Sequence, residues 1–168
     1  MEYNFNIIEG NILDYIGKVD AVCVTTNGVI KANGELVMGA DDAKAFYDKY
    51  NGLFNIATIL AQKLYRKDKL PYMHVVDKKD NICYRCVSAE QNNGTNIISF
   101  PVKSHFQDKS DLELIEQSAK RLLWIANHYK LNSIVLSSPG TGYGQLLEDD
   151  VYDTLNKYFD KRFYIIKK

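Results

Sequence analysis

The sequence predicts a three-layer α/β/α sandwich around a mixed, mostly parallel sheet. Three observations predict it. Strand-like and helix-like segments alternate over most of the chain, the strand segments between His74 and Phe100 follow one another directly as in a hairpin, and the composition supports one core. With 168 residues, 46% of them hydrophobic, 25% charged and only 3 proline, the chain has the size of one domain covering 1–168 and is neither disordered nor low-complexity. No internal repeat and no Pro- or Ser-rich linker divides it.

In chain order, Asn4 to Ile8 reads as the first strand, Ile12 to Ile16 as a short turn of helix, and Ala21 to Thr26 as the second strand. Helices follow at Asp42 to Tyr50 and Asn55 to Lys67, then strands at His74 to Asp77, Ile82 to Ala89 and Asn96 to Phe100, with a turn at Asn92 to Asn96. Most of these strands are short and β-branched. The best-marked helix is Asp111 to Tyr129, where Leu112, Ile115, Ala119, Leu122, Leu123 and Ala126 repeat at helical spacing and Ser110 with Glu113 has the spacing of a capping box. A strand at Ser133 to Ser137, a helix at Asp149 to Phe159 and a strand at Phe163 to Ile166 complete the set, and helices are expected on both faces of the sheet.

Charge and composition exclude several function classes. Lys plus Arg and Asp plus Glu both total 21, so there is no net positive field to hold a phosphate backbone, and nucleic acid is a poor default partner. No apolar run approaches the roughly 20 residues that cross a bilayer, and the first ten residues lack the character of a signal peptide; a cytoplasmic protein with no membrane partner is expected. Three cysteines are too few for a disulfide framework. Cys83 and Cys86, three apart in a strand, point to opposite faces and cannot share a metal, and Cys23 reads as a small buried hydrophobe. His74 reads as a core histidine, and His128 as a cation closing a helix. The twelve tyrosines suit half-buried walls.

The chemistry lies in two glycine-rich segments, each placed between a strand and a helix. After Ala21 to Thr26 come Asn27-Gly28, Asn33-Gly34 and Val37-Met38-Gly39-Ala40; after Ser133 to Ser137 comes Pro139-Gly140-Thr141-Gly142-Tyr143-Gly144. Glycine permits positive φ and close approach of a ligand, and successive N–H groups beside a helix start form an anion site. Either segment alone reads more readily as a plain turn than as a ligand cradle; the pair, placed alike after two strands, brings the two readings level. No Gly-Lys-Ser/Thr is present after them, and the Gly140-x-Gly142-x-Gly144 spacing is not that of a dinucleotide fingerprint. In open α/β sheets ligands sit beyond the carboxyl ends of the strands, which is where both segments fall.

Taken in order, Gly10-Asn11-Ile12, Asp20-Ala21-Val22 running into Thr25-Thr26-Asn27, Gly34-x-x-Val37-Met38-Gly39-Ala40-x-x-Ala43, Ile98 to Lys103, Ser110 to Ile115 and Val135-Leu136-x-x-Pro139-Gly140-x-Gly142-x-Gly144 resemble a macrodomain, the ADP-ribose-binding α/β/α fold. The later strings resemble the compact stand-alone macrodomain-like proteins of bacteria and phages, and the resemblance covers nearly the whole chain. It implies ADP-ribose or a related nucleotide as ligand, and no cofactor. It puts Asn11, commonly an aspartate, and the Ile12 amide at the adenine, with Gly10 beside them. Asn27 would lie with Thr26 and Gly28 at the distal ribose, and in the hydrolases of the family would orient a reacting water. Gly34 and Val37 to Ala40 would close on the diphosphate from one side and Pro139 to Gly144 from the other, with Tyr143 covering the ribose.

Two features stand apart from the pattern. Where the family usually has a further glycine, this chain has Asp41, followed by Asp42. A carboxylate ~4 Å from a phosphate charge costs up to roughly 4 kcal/mol at an effective dielectric of about 20. Two readings are open: the aspartates cap a helix, which general cap preferences favour, or the ligand carries a cation that needs them. Lys103, with His105 two residues on, either brings positive charge to the same edge or is simply solvated. For activity, Asn27 and Asp41 are the candidate catalytic pair for hydrolysis of an ADP-ribosyl conjugate. The alternatives are an ADP-ribose-1''-phosphate phosphatase and a non-catalytic protein that sequesters the nucleotide or serves as a scaffold.

Overall fold

The computed structural model describes residues 2–28, 35–39, 41–50, 88–92, 94–103, 107–142 and 144–167. In chain order these form β1 (Asn6–Ile8), a 3-10 turn (Ile12–Tyr15), β2 (Ala21–Thr26), α1 (Asp41–Lys49), β3 (Ser88–Asn92), β4 (Thr95–Pro101), α2 (Leu112–His128), β5 (Ile134–Ser137), α3 (Glu148–Asn156) and β6 (Phe163–Ile166). The six strands make one sheet in the order β1-β6-β5-β2-β4-β3. Every neighbouring pair is parallel except β3 with β4, so the sheet is mixed and mostly parallel as predicted.

β2 is central because its side chains suit a strand covered on both faces. Ala21, Val22, Cys23 and Val24 alternate between the faces, and all four are fully buried. Ile97, Ile98 and Phe100 of β4 and Ile134, Val135 and Leu136 of β5 continue the same two-sided core. Two covered faces make three layers. α2 and α3 pack on each other, α1 packs on β2, and the 3-10 turn on β5. Tyr3, Tyr15, Tyr47, Tyr50, Tyr129, Tyr158 and Tyr164 are partly buried against this core, the half-buried use expected of tyrosine.

Sequence and structure differ mainly at the ends of elements. The hairpin between β3 and β4 turns between Asn92 and Thr95, with Gly94 at φ +84°, where glycine is favoured. Of the expected strand Ile82 to Ala89, the described part is Ser88 and Ala89, which open β3. The expected helix Asn55 to Lys67 and strand His74 to Asp77, with His74, Cys83 and Cys86, lie outside the described residues.

The cap of α2 is a correction. Asp111 rather than Ser110 is the N-cap, its Oδ1 accepting from the N–H groups of Glu113 at 2.9 Å and Leu114 at 3.4 Å. The extended backbone of Asp111 puts its short carboxylate over the two orphan donors, which leaves Ser110 outside the helix. Asp111→Ala is therefore expected to cost about 1 kcal/mol, a fall of about 2–4 °C in melting temperature for a domain of this size, read by thermal denaturation. A melting point unchanged on that substitution would show that the cap contributes nothing.

Connections leave β2 towards β4 and leave β5 towards β6, so the crevice between the carboxyl ends of β2 and β5 is the point where strand order reverses. There the chain leaves Thr26, Pro101 and Ser137 at one edge of the sheet.

Candidate functional site

Hydrogen bonds between neighbouring strand ends build the floor of this edge. The Val102 N–H donates to the Thr26 carbonyl at 2.9 Å, extending the β2–β4 ladder past the strands, and the Asp111 N–H donates to the Val102 carbonyl at 2.8 Å. Ser118, buried in α2, donates to the Pro101 carbonyl at 2.8 Å and pins the helix to the end of β4. From there the Ser110 N–H reaches the Gly144 carbonyl at 3.0 Å, joining the segment before α2 to the loop after β5.

That loop is closed on itself. The Gln145 N–H donates to the Gly142 carbonyl at 3.0 Å and the Leu146 N–H to the Gly140 carbonyl at 2.9 Å. Thr141 Oγ1 turns back to the Ser138 carbonyl and hydroxyl, at 3.3 and 3.2 Å. The three glycines do different work. Gly140 takes φ +75°, and a β-carbon on it would stand 2.9 Å from Ile115 Cδ1 and 3.0 Å from Leu146 Cδ1. A β-carbon on Gly144 would run into Ser110 Oγ and stand 2.6 Å from the Gly140 carbonyl oxygen. Both are required by packing. Gly142 is different: it is exposed, its φ is not left-handed, and among the described residues a β-carbon there would meet only Asp41 Oδ2, at 3.5 Å.

Asp41 belongs to the opposite wall. It opens α1 at φ +57°, a left-handed conformation that costs an L-residue on the order of 1 kcal/mol and that aspartate tolerates better than most. Asn27 Nδ2 donates to the Val37 carbonyl at 3.1 Å and ties the segment before α1 to the end of β2.

Between the walls lies a cleft of about 340 Å³. Four segments line it: Thr25, Thr26 and Asn27 from the end of β2; Val37, Gly39, Asp41 and Ala43 from the first glycine segment and α1; Val102, Lys103, Gln107, Asp108 and Ser110 from the connection after β4; Ser138, Gly140, Gly142, Gly144 and Gln145 from the loop after β5. Two residues of this lining, Thr26 and Ser110, are only 3% and 6% exposed, and their hydroxyl oxygens are buried with no hydrogen-bond partner among the described residues. Beside Ser138, burial raises the Tyr152 phenol above its ordinary pKa.

Of the residues selected from sequence, the cleft gathers Thr26, Asn27, Val37, Gly39, Asp41, Lys103, Gly140, Gly142 and Gly144. Gly28, Met38, Pro139 and Thr141 are not among its lining residues; Met38 is buried in the core and Thr141 is turned into its own loop. Nor are Gly10, Asn11 and Ile12. Asn11 caps the 3-10 turn, its Oδ1 accepting from the Leu13 N–H at 3.0 Å, and the Ile12 side chain is in the core. Gly34, Ala40, Tyr143 and His105 lie outside the described residues.

The two aspartates part company. Asp41 lines the cleft, with its Oδ2 toward Gly142, while Asp42 is not in the lining. Sequence reasoning misses Gln107, Asp108 and Ser110 as site residues because their segment has no glycine. The one signal that could have found them is position, since theirs is the third segment to leave the same sheet edge.

No family model matches the chain, and no curated protein matches it. Solved structures do. The macrodomain of Thermus aquaticus DarG is 19% identical with a TM-score of 0.66, over 98% of this chain and 97% of that one. The macrodomain of Mycobacterium tuberculosis DarG is 22% identical with a TM-score of 0.63, over 97% and 98%. Thermosipho africanus DarTG, in complex with ADP-ribose, is 18% identical with a TM-score of 0.66, over 98% of this chain and 42% of that one. With strand order, layers and cleft already defined, these likenesses establish that the chain has the macrodomain fold.

Proposed function

We propose that the cleft binds ADP-ribose or a close relative, its diphosphate held by main-chain N–H groups of the two glycine segments. The observation that carries this reading is the meeting of those segments, about a hundred residues apart, in the lining of one cleft at the carboxyl ends of β2 and β5. A main chain without side chains, next to the start of a helix and two buried hydroxyls, is suited to an anionic linker. The size fits a diphosphate with its ribose, since small-molecule sites run from about 300 Å³ upward. Lys103 supplies a cation on the same lining.

The base would then lie beyond the cleft, toward Gly10, Asn11 and Ile12. Asn11 Oδ1 already receives one hydrogen bond and, as a carbonyl oxygen, has a second lone pair for an adenine amino group. Isothermal titration with ADP-ribose tests the reading. Micromolar binding is expected, and a millimolar or absent response would reduce the protein to a scaffold with this fold.

Hydrolysis of an ADP-ribosyl conjugate is a second reading, favoured by the carboxylate of Asp41 in the same cleft. A water positioned there would lose a proton to Asp41 as its oxygen bonds to the anomeric carbon, the bond from that carbon to the conjugated group would break, and the proton held by Asp41 would pass to the released group. Release of ADP-ribose that Asp41→Asn abolishes would support it. Absence of turnover on protein, nucleic-acid and phosphate conjugates would remove it and leave the binding protein.

A further inference from the structure

We infer that the outward face of α2 around Trp124 is a docking surface for an acidic segment of a protein partner. This surface is separate from the cleft. α2 starts beside the cleft-lining Ser110, and Trp124 stands twelve residues after Leu112, about 18 Å along the helix axis.

Trp124 is the single tryptophan of the chain and is 42% exposed. An exposed apolar residue is ordinary by itself, but this one is held in a stack. The Arg121 guanidinium carbon lies 4.2 Å from the centre of its ring, and the His128 imidazole lies parallel to it within 11° at 4.6 Å. At these distances one ring face has room for one flat group, so the arginine, a turn before, and the histidine, a turn after, cover opposite faces. Water reaches the indole edge, which carries the Nε1–H donor. Side chains stacked in this way have already lost rotamer freedom, and a partner that covers them does not have to order them. Tryptophan and arginine are also the residue types that most often dominate interfaces.

Charge decides the chemistry of the partner. The chain has no net charge, yet no Asp or Glu occurs from Gln117 to Leu147, while Glu148, Asp149, Asp150 and Asp153 follow close together. Lys120 is exposed one turn before Trp124. Lys157, at the end of α3, has its Nζ 3.7 Å from Glu116 Oε1, which accepts from the Tyr158 hydroxyl at 2.6 Å; Lys120 Nζ lies 5.8 Å from the centre of the Tyr158 ring. One carboxylate thus stands among Lys120, Lys157 and, further along, Arg121, which leaves the face positive. Asn127 gives its carbonyl oxygen to Arg162 at 2.9 Å, so its amide presents donors. Cations and donors call for an anionic, acceptor-rich occupant.

Between two such macromolecules, the stack favours protein. Single-stranded nucleic acid binds by stacking bases on open aromatic faces, and both faces of Trp124 are covered. An indole edge among cations suits an apolar side chain flanked by carboxylates. A second copy presenting the same face would bring Lys120 and Arg121 against their like.

The test is titration with a tryptophan-free peptide in which Glu alternates with Leu and Phe, read by the emission of Trp124, to which no other tryptophan contributes. A saturable blue shift is expected, with Kd below about 100 μM at low salt. Lys120→Glu/Lys157→Glu, changed at two exposed positions, should keep a cooperative melt and bind about tenfold more weakly. The same peptide with Gln for Glu should not bind. Trp124→Gln, read by anisotropy of the labelled peptide, should also lose about tenfold. No spectral change with the acidic peptide overturns the inference, as does equal affinity in the charge-reversed protein. Tighter binding of oligothymidylate overturns it in favour of nucleic acid, and an emission maximum that follows protein concentration, with a dimer in light scattering, overturns it in favour of a second copy. No nucleotide enters the measurement, so the inference stands or falls apart from the ADP-ribose reading.

Discussion

Gly142→Val is expected to weaken ADP-ribose binding by roughly tenfold or more in isothermal titration while the melting temperature moves by no more than about 2 °C. The separation of the two effects comes from where this glycine sits. It is exposed and its φ lies outside the left-handed region, so a β-carbon adds no conformational strain, and the only atom of the described residues that this carbon would approach, Asp41 Oδ2, is at ordinary contact distance. The valine methyls would enter the cleft that Gly142 lines. A β-branched side chain has one strongly preferred rotamer, so it cannot swing clear as a longer, unbranched one could. Full affinity in a folded Gly142→Val protein would mean that the ligand does not lie against Gly142 in the cleft.

Much of this site is legible in the sequence, because strand, glycine segment and helix come in the same order twice. Hydrophobic pattern places β2 and β6 at their observed bounds, and the end of a parallel strand is where such a sheet presents a ligand. The sequence does not separate the work of individual glycines. Gly140, Gly142 and Gly144 are equivalent as letters, yet Gly140 is needed for a positive φ and Gly144 for contact with Ser110, and neither property is local. Ser110 misleads for a related reason: serine before an apolar helix is a common cap, and only the backbone of Asp111 shows which of two adjacent polar residues takes that place. Asp41 reads as a cap on the same general preference. Its left-handed backbone at the first position of α1 and its place in the cleft lining turn on the path of the chain and are not visible in the sequence.

The complementary substitution, Gly144→Ala, is expected to act on the fold. The added methyl would run into Ser110 Oγ and stand 2.6 Å from the carbonyl oxygen and 2.7 Å from the α-carbon of Gly140. A hydroxyl can rotate away; main chain held by the Leu146-to-Gly140 hydrogen bond cannot move without opening the loop. Overpacking of this kind costs about 1–3 kcal/mol, which for a domain of this size lowers the melting temperature by about 3–10 °C. Adding Ser110→Ala removes one of the three contacts and should recover less than about half of the loss, because the two main-chain contacts remain. Complete recovery in the double variant would show that the serine hydroxyl alone opposes a side chain at 144, and a melting point equal to wild type in the single variant would show that the loop is not closed on itself in solution. Because the Ser110 N–H is bonded to the Gly144 carbonyl, opening the loop also displaces the Ser110 hydroxyl from the cleft. Gly144→Ala should thus lose ADP-ribose affinity together with stability, where Gly142→Val loses affinity alone.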